Sequence, residues 1–213
     1  MPFLVELPPL LAPLDTFLAA RGVGVRVLRF GATRVGLGPD HGLLIASLTP
    51  AENARLERLP EGARREEWLA ARRAERELRV ALSAASQPGE SPWISISHTC
   101  GHVLAVGGVS PGLRGLGVDL EATSREVTLC VRDRITEESE RLFPLTPMEW
   151  WVAKEAAFKA NPTNAGTWMG QYRIEAYDPE SGQGLVQAPG QSELLRFAVF
   201  HREGWSYASA VAL

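Results

Sequence analysis

Apolar and polar residues follow two distinct periods along the 213-residue chain. An apolar residue at every second position is typical of a strand, because successive strand side chains point to opposite faces. An apolar residue at every third or fourth position indicates an amphipathic helix. The strand-like segments are residues 23–30, 93–98, 102–109, 114–120, 171–177, 194–201 and 205–212. The helical segments are one that opens at the cap Thr49-Pro50-Ala51-Glu52, then 64–85, a stretch near 125–142, and 147–160. An α+β fold is predicted.

The order of these segments divides the chain into two similar halves. Residues 1–110 read strand, helices, strand, strand, and residues 111–213 begin again with a strand and helices. A Pro- and Gly-bearing segment at 87–92 ends the long helix of the first half, and the turn Ser110-Pro111-Gly112 separates the halves. We predict two α+β halves that meet near residue 110, and such an interface is a usual place for a ligand.

Composition narrows the classes of partner. A hydrophobic content of 45% is enough for a buried core in one large or two small domains. A net charge of -3 argues against a nucleic-acid partner, which requires concentrated positive charge. The arginine-rich stretch 55–79 does not change this prediction, because glutamates alternate with its arginines and indicate a solvated helix face.

The chain carries no recognisable targeting signal. Residues 1–9 contain Glu6 and several prolines and have no basic start, so they do not resemble a signal peptide. No apolar run is long enough to cross a membrane. The two cysteines, Cys100 and Cys130, make no disulfide framework. We therefore predict a cytoplasmic protein.

The strand that opens the second half carries two carboxylates. In the segment 117–121, alternation places Val118 and Leu120 on one face and Asp119 and Glu121 on the other. Adjacent like charges are costly unless a cation lies between them, and magnesium prefers such oxygen ligands. The alternative is an exposed strand end, which two acids alone do not exclude.

The only two lysines of the chain lie five residues apart. All other members of the 22 lysine and arginine residues are arginine, whereas Lys154 and Lys159 flank Glu155. In a helix Trp151, Glu155 and Lys159 form one stripe. A compact ammonium beside a carboxylate suits a metal and phosphate site. The alternative is a solvated ion pair between Glu155 and Lys159.

The two segments together indicate phosphoryl-group chemistry. Glu155 lies about one crossover after the acidic strand, near enough in topology to join Asp119 and Glu121. Three acids can hold a divalent ion while Lys154 and Lys159 face phosphate oxygens. We therefore expect one site built from both segments.

Four segments also resemble a known family. Residues 117–121 match Gly-Val-Asp-x-Glu, and residues 151–159 match Trp-x-x-Lys-Glu-Ala-x-x-Lys. Residues 64–76 resemble the family's arginine-bearing helix, and residues 95–99 resemble its Ser-x-Ser-His segment. The chain is similar to 4'-phosphopantetheinyl transferases of the surfactin-synthetase-associated type, which have two similar halves in one chain. The resemblance implies that fold, with pseudo-twofold symmetry, and a monomer.

The resemblance implies a magnesium-dependent reaction with coenzyme A. The phosphopantetheine arm passes to a serine of an acyl or peptidyl carrier protein, and adenosine 3',5'-bisphosphate is released. Asp119, Glu121 and Glu155 are implied as magnesium ligands, with Glu155 as general base and Glu121 second for that role. Lys154 and Lys159 are implied to stabilise the pyrophosphate and the leaving bisphosphate.

Further coenzyme A contacts are implied in the first half. His98 and Ser97 correspond to the family's phosphate-binding segment, and Arg64 and Arg72 are implied to converge there. These arginines are eight positions apart, about two helical turns. Arg76 is a weaker candidate. The alternatives are a core histidine at position 98 and solvated, salt-bridged arginines.

Two departures and three other interpretations stand beside the resemblance. The loop 86–92 has no basic residue where some relatives carry one, and lysine contacts used by some relatives are absent from the first half. The segment 98–102 has His, Cys and His at alternate positions, as in a zinc site, but lacks a fourth ligand. The acids also fit a magnesium phosphohydrolase, or a non-catalytic homologue that binds coenzyme A or a carrier protein.

Overall fold

The computed structural model describes residues 11–23, 25–32, 40–86, 90 and 92–213. Gly24 of the first predicted strand, most of the predicted break at 87–92, and the segment 1–9 lie outside the described residues.

Six α-helices are described. Their bounds are α1 (Ala12–Ala20), α2 (Asp40–Ala46), α3 (Pro50–Arg58), α4 (Ala63–Ala85), α5 (Leu129–Ile135) and α6 (Pro147–Ala160). Among the ranges that the structure describes, no helix is both long and apolar enough to cross a membrane.

Eight strands are found in the same described residues. Their bounds are β1 (Val25–Ala32), β2 (Trp93–Thr99), β3 (His102–Val109), β4 (Gly115–Ala122), β5 (Arg173–Asp178), β6 (Gln183–Gln187), β7 (Leu195–Arg202) and β8 (Trp205–Ala212). They form two antiparallel sheets, with strand orders β1-β3-β2 and β4-β8-β7-β6-β5. The predicted α+β class is confirmed, and each sheet takes its strands from one side of residue 110.

The structure adds elements that the pattern does not predict. α1 and α2 precede the first predicted helix, and β6 is an additional strand. The single helix predicted near 125–142 is instead α5 followed by a short 3₁₀ turn, Glu140–Leu142. α5 ends because Thr136 is extended, with ψ of 143°, and its hydroxyl donates to the Arg132 carbonyl.

A long helix covers each sheet. α4 packs on the first sheet through buried Leu78 and Leu82, which contact Val103, Ala105 and Val109 of β3. α6 packs on β4, β8 and β7 of the second sheet. The two sheets in turn share an apolar cluster with α1, and its buried members include Leu14, Leu18, Leu104, Val106, Val118, Leu120 and Tyr207.

Two glycines of β4 let α6 approach the strand closely. A Cβ at Gly117 would lie 1.9 Å from the Ala156 carbonyl oxygen, and one at Gly115 would lie 1.8 Å from that of Ala160. Because backbone atoms fill both positions, a side chain at either glycine would push the helix away. The glycine that precedes the acidic pair thus brings α6 against the strand that carries the acids.

α6 starts with a capping box that also involves β7. Thr146 Oγ1 accepts from the Glu149 amide, and the Thr146 amide donates to Glu149 Oε2 at 2.6 Å. His201 Nε2 donates to Glu149 Oε1 at 2.8 Å. Burial opposes ionisation of Glu149, but the hydrogen bonds from His201 and Thr146 outweigh it and lower the pKa of Glu149.

Glu149→Gln is expected to lower the free energy of unfolding at pH 7 by about 0.5–1 kcal/mol. The glutamine keeps the capping geometry but loses the charge toward His201 and the helix dipole. A lowered native pKa gives stability that is present above the ordinary value of 4.5 and is lost as pH falls through the native pKa. Urea unfolding at pH 7 and at low pH should therefore show the difference only at pH 7.

The matched control is Glu61→Gln, which neutralises an exposed acid before α4. A Glu149→Gln loss that is the same at both pH values would contradict the charge-based explanation.

Candidate active site

Hydroxyl groups of β2 reach across to β4, where the edge strands of the two sheets lie side by side. Three residues at alternate positions of β2 each form one hydrogen bond to β4, at 2.9, 2.7 and 2.9 Å in chain order. The pairs are Ser95 Oγ with the Val118 amide, Ser97 Oγ with Asp119 Oδ1, and Thr99 Oγ1 with Glu121 Oε2. The first sheet therefore orients both carboxylates of the second.

Asp119 lies at the centre of the cluster, with 4% of its surface exposed. Its Oδ1 accepts from Ser97 and from Lys159 Nζ, the latter at 2.8 Å. Lys159 Nζ also donates to the Val118 carbonyl at 3.1 Å. Asp119 Oδ2 is buried and has no hydrogen-bond partner. An unsatisfied buried carboxylate oxygen is costly, so this oxygen is suited to a bound cation.

Glu121 is the second buried acid. Its Oε2 accepts from Thr99, and its Oε1 forms an ion pair with Arg125 Nη1. The Arg125 guanidinium lies over the Trp151 ring of α6, 5.3 Å from the ring centroid. Burial raises the pKa of Glu121, while the Thr99 hydrogen bond and the Arg125 charge oppose that rise.

Glu155 is half-buried on α6 and faces the same cluster. Burial raises the pKa of its carboxyl. The Lys159 charge opposes the rise, and the charges of Asp119 and Glu121 add to it. None of the described residues donates a hydrogen bond to this carboxylate. The structure thus brings Glu155 and Lys159 beside both strand acids, and the partner of Lys159 is Asp119 rather than a solvated Glu155.

Lys154 does not join this cluster. Its side chain is fully buried, and its ammonium donates to the Ile135 carbonyl at 2.5 Å and to Glu140 Oε2 at 2.9 Å. Burial lowers the pKa of Lys154, and the pairing with Glu140 opposes that. The ammonium is turned away from the acids and into the core, so the structure corrects the expectation that Lys154 faces phosphate oxygens.

Glu140 is the buried counterpart of Lys154 and was not a candidate from sequence. It also accepts from the Ile174 amide and from the Glu137 amide, both at 2.7 Å. The pair joins α6, the 3₁₀ turn and β5, and its role is structural. Glu140 lies in a run of acids with no apolar period, so nothing in the pattern distinguishes it from solvated neighbours.

His98 is exposed at the end of β2, so the core alternative for this histidine is wrong. Its Nδ1 lies 3.4 Å from Glu67 Oε2 on α4, and Glu67 Oε1 accepts from the Gly101 amide at 2.6 Å. Arg64 is exposed one helical turn before Glu67. Glu67 and His98 thus lie at the β2–β3 turn, and Arg64 is exposed on the helix that carries Glu67.

Arg72 contacts residues of α4 rather than His98. Its Nη1 pairs with Glu75 at 2.5 Å, its guanidinium lies over the Trp68 ring, and its charge acts on Glu52 of α3. Arg76 also binds Glu52, at 3.2 Å. The structure therefore does not bring Arg72 to His98, and both arginines stabilise the packing of α3 on α4.

Ser97 is turned away from solvent. It is buried, and its hydroxyl donates to Asp119, so it orients an acid in this structure rather than lying open to a phosphate. Thr99, two positions later, acts likewise on Glu121. Strand parity links the two hydroxyls, and that signal could have identified Thr99. Arg125 and Glu67 have no comparable signal, because a turn and a helix bring them to the site.

The donor set fits a divalent cation in part. Asp119 Oδ2 and the Glu155 carboxylate are free to act as hard oxygen ligands, and Glu121 offers a third if Arg125 moves. In the described part of the chain, no three His, Cys, Asp or Glu side chains converge closely enough to hold a metal as they are placed. The same holds for His98, Cys100 and His102, the residues of the alternative zinc site.

Comparison with known proteins provides no family. A scan of the chain against protein-family models finds no match, and a search of curated proteins finds no significant match. The function must therefore be argued from the four segments and the geometry of the cluster.

Proposed function

We propose that the chain is a 4'-phosphopantetheinyl transferase that modifies a serine of an acyl or peptidyl carrier protein with the phosphopantetheine arm of coenzyme A. One observation carries this proposal. The two signature segments, 117–121 and 151–159, touch through their reactive side chains, with Lys159 Nζ 2.8 Å from Asp119 Oδ1. Sequence similarity alone does not require that contact.

The architecture supports a two-halved transferase. Each sheet is covered by one long helix, α4 on the first and α6 on the second, and the sheets meet at β2 and β4. A pseudo-twofold relation between the halves is part of the proposal. The sheets differ in size, with three and five strands, so the relation concerns their common core.

Glu155 is suited to act as the general base. Burial raises the pKa of its carboxyl, which strengthens the carboxylate as a proton acceptor. No described residue donates a hydrogen bond to it. In the proposed step the carrier serine oxygen attacks the β-phosphorus of coenzyme A and its proton passes to the Glu155 carboxylate. The bond from that phosphorus to the bridging oxygen breaks, and adenosine 3',5'-bisphosphate leaves with the electron pair.

Lys159 would bind the pyrophosphate directly, whereas the three acids would act on it through a bound cation. Asp119, Glu121 and Glu155 are the residues that would hold magnesium. When bound, magnesium neutralises phosphate oxygens and increases the electrophilicity of the phosphorus. The ammonium of Lys159, whose side chain is 26% exposed, is held by Asp119 and the Val118 carbonyl, so it can stabilise charge on the leaving phosphate without reorganisation.

The first half supplies the proposed contacts to the nucleotide end of coenzyme A. His98 is exposed beside the cluster, and Glu67 Oε2, 3.4 Å from its Nδ1, orients the ring. Arg64 is the arginine of α4 that remains a candidate for the same phosphate. Arg72 is left out of the proposed site because it contacts Glu75 and Trp68 instead.

Incubation with an apo carrier protein, coenzyme A and magnesium is expected to add one phosphopantetheine mass to the carrier. Intact-protein mass spectrometry measures the addition, and tandem spectra locate it on a serine. A chelator should stop the reaction, and added magnesium should restore it.

The matched control is a carrier protein whose acceptor serine is replaced by alanine. If no fatty-acid, polyketide or peptide carrier protein gains the mass, the transferase assignment fails. Release of inorganic phosphate from small esters without a carrier protein would instead indicate a phosphohydrolase.

A further inference from the structure

Arg125 is folded back onto Glu121 by a tight turn after β4. The Arg125 amide donates to the Ala122 carbonyl at 2.9 Å. Thr123 anchors the turn, because its amide and its hydroxyl both donate to the Gly204 carbonyl at 2.9 Å. The backbone thus holds Arg125 four residues beyond Glu121 and within reach of its carboxylate.

The Arg125 guanidinium makes two contacts of different chemistry. It is paired with Glu121 Oε1, and it rests on the face of Trp151. The Arg125 side chain is 45% exposed, whereas that of Glu121 is 7% exposed. A half-exposed cation therefore neutralises a buried anion and keeps a second support, on α6, that does not depend on Glu121.

Arg125 and a metal ion at the same Glu121 oxygen would repel each other, because both are cations. Glu121 Oε2 accepts from the neutral Thr99 hydroxyl, and Oε1 is the oxygen that Arg125 holds. We propose that Arg125 is an internal counter-cation of Glu121, and that a divalent cation binding to the acids displaces the guanidinium from Oε1. The guanidinium is half-exposed and can be solvated once it leaves Glu121, so a doubly charged ion that also binds Asp119 and Glu155 outcompetes it.

The displaced guanidinium does not leave the site. Its contact with Trp151 keeps it at the rim of the cluster, where it presents a positive charge to an anionic oxygen of the substrate. When the cation binds, Arg125 therefore no longer neutralises Glu121 and becomes a contact for a polyanionic substrate. Because this displacement presupposes the divalent-cation site proposed above, its test uses the metal ion alone.

Arg125→Ala is expected to bind Mn²⁺ about threefold to tenfold more tightly than the wild-type protein, because the competing cation is gone. Free Mn²⁺ is measured by electron paramagnetic resonance during titration, with no coenzyme A or carrier protein present. Arg125→Gln should behave like Arg125→Ala. Titration with Mg²⁺ should change the tryptophan fluorescence of the wild type, because the guanidinium shifts over the Trp151 ring as it leaves Oε1. That change should be smaller in both variants, which have no guanidinium there.

The matched control is Arg114→Ala. Arg114 precedes the opposite end of β4, is 52% exposed and pairs with Glu193, so its removal changes net charge equally without touching the acids. Its Mn²⁺ affinity should stay at the wild-type value. Thermal unfolding checks that all variants are folded.

Equal or weaker Mn²⁺ binding by Arg125→Ala would overturn the inference, as would the absence of binding in every variant. Binding by Arg125→Ala alone would support it, with the arginine then blocking the site completely. The transfer assay is judged separately. If the Mn²⁺ affinities follow the expected pattern but no carrier protein is modified, the role of Arg125 stands and the transferase assignment fails. If a carrier protein is modified but Arg125→Ala does not bind Mn²⁺ more tightly, the transferase assignment stands and the role of Arg125 fails.

Discussion

Asp119→Asn is expected to slow phosphopantetheine transfer at least about 100-fold, because loss of an outer-shell partner alone costs a metal site 10–100-fold. The asparagine keeps the size of the side chain and can still accept from Ser97. It removes the negative charge that holds Lys159 and changes the unpartnered Oδ2, the oxygen best suited to a cation. Initial rates of mass addition to a carrier protein measure the loss, and Mn²⁺ affinity should fall in parallel.

Asp133→Asn is the matched control for this change. Asp133 is an exposed acid of α5 that pairs with Arg132, and its replacement should leave the rate unchanged. An Asp119→Asn rate within about tenfold of wild type, in a protein of unaltered thermal stability, would remove Asp119 from the proposed site.

Lys154→Met is expected to destabilise the fold by about 3–5 kcal/mol, the usual cost of removing one partner from a buried ion pair. Methionine fills much of the space of the lysine stem, so the loss isolates the charge. Glu140 then keeps its hydrogen bonds to the Ile174 and Glu137 amides but has no buried cation. Urea unfolding at pH 7 measures the difference, with an unchanged slope indicating an unchanged unfolded state.

Two further variants test the pairing. Lys154→Met/Glu140→Gln should recover part of the lost stability, because the uncompensated charge is removed. Arg79→Met breaks the exposed pair with Glu75 and should cost less than about 1 kcal/mol. A Lys154→Met variant as stable as wild type would show that the ammonium is not held in the core.

The local pattern of apolar residues was sufficient to predict most strands and the face of β4 that carries Asp119 and Glu121. Alternation placed Val118 and Leu120 on one face of β4, and both are buried in the apolar cluster between the sheets. The i, i+4 spacing of Glu155 and Lys159 likewise placed both on the stripe of α6 that faces the acids. These predictions succeeded because each depends only on the period of a single element.

The expectation that both lysines face phosphate overlooked helix geometry. Residues five positions apart are separated by about 140° around a helix, so Lys154 and Lys159 cannot share a face. The orientation of the Lys154 side chain depends on its ion pair with Glu140, which a separate turn brings against α6. Arg72 is a similar case, since its orientation depends on Trp68 and Glu75 on its own helix and on Glu52 of α3. Long-range pairings of this kind leave no period in the sequence.

The hydrogen bonds that cross from β2 to β4 have a consequence for how the protein can vary. Ser97 and Thr99 come from one half and Asp119 and Glu121 from the other, so neither half contains the cluster by itself. A hydrogen bond tolerates only a few tenths of an ångström of displacement, whereas apolar packing tolerates more. The angle at which the two halves meet therefore sets the geometry of the acids, and substitutions in the apolar interface around Tyr207 can displace the carboxylates without contacting them.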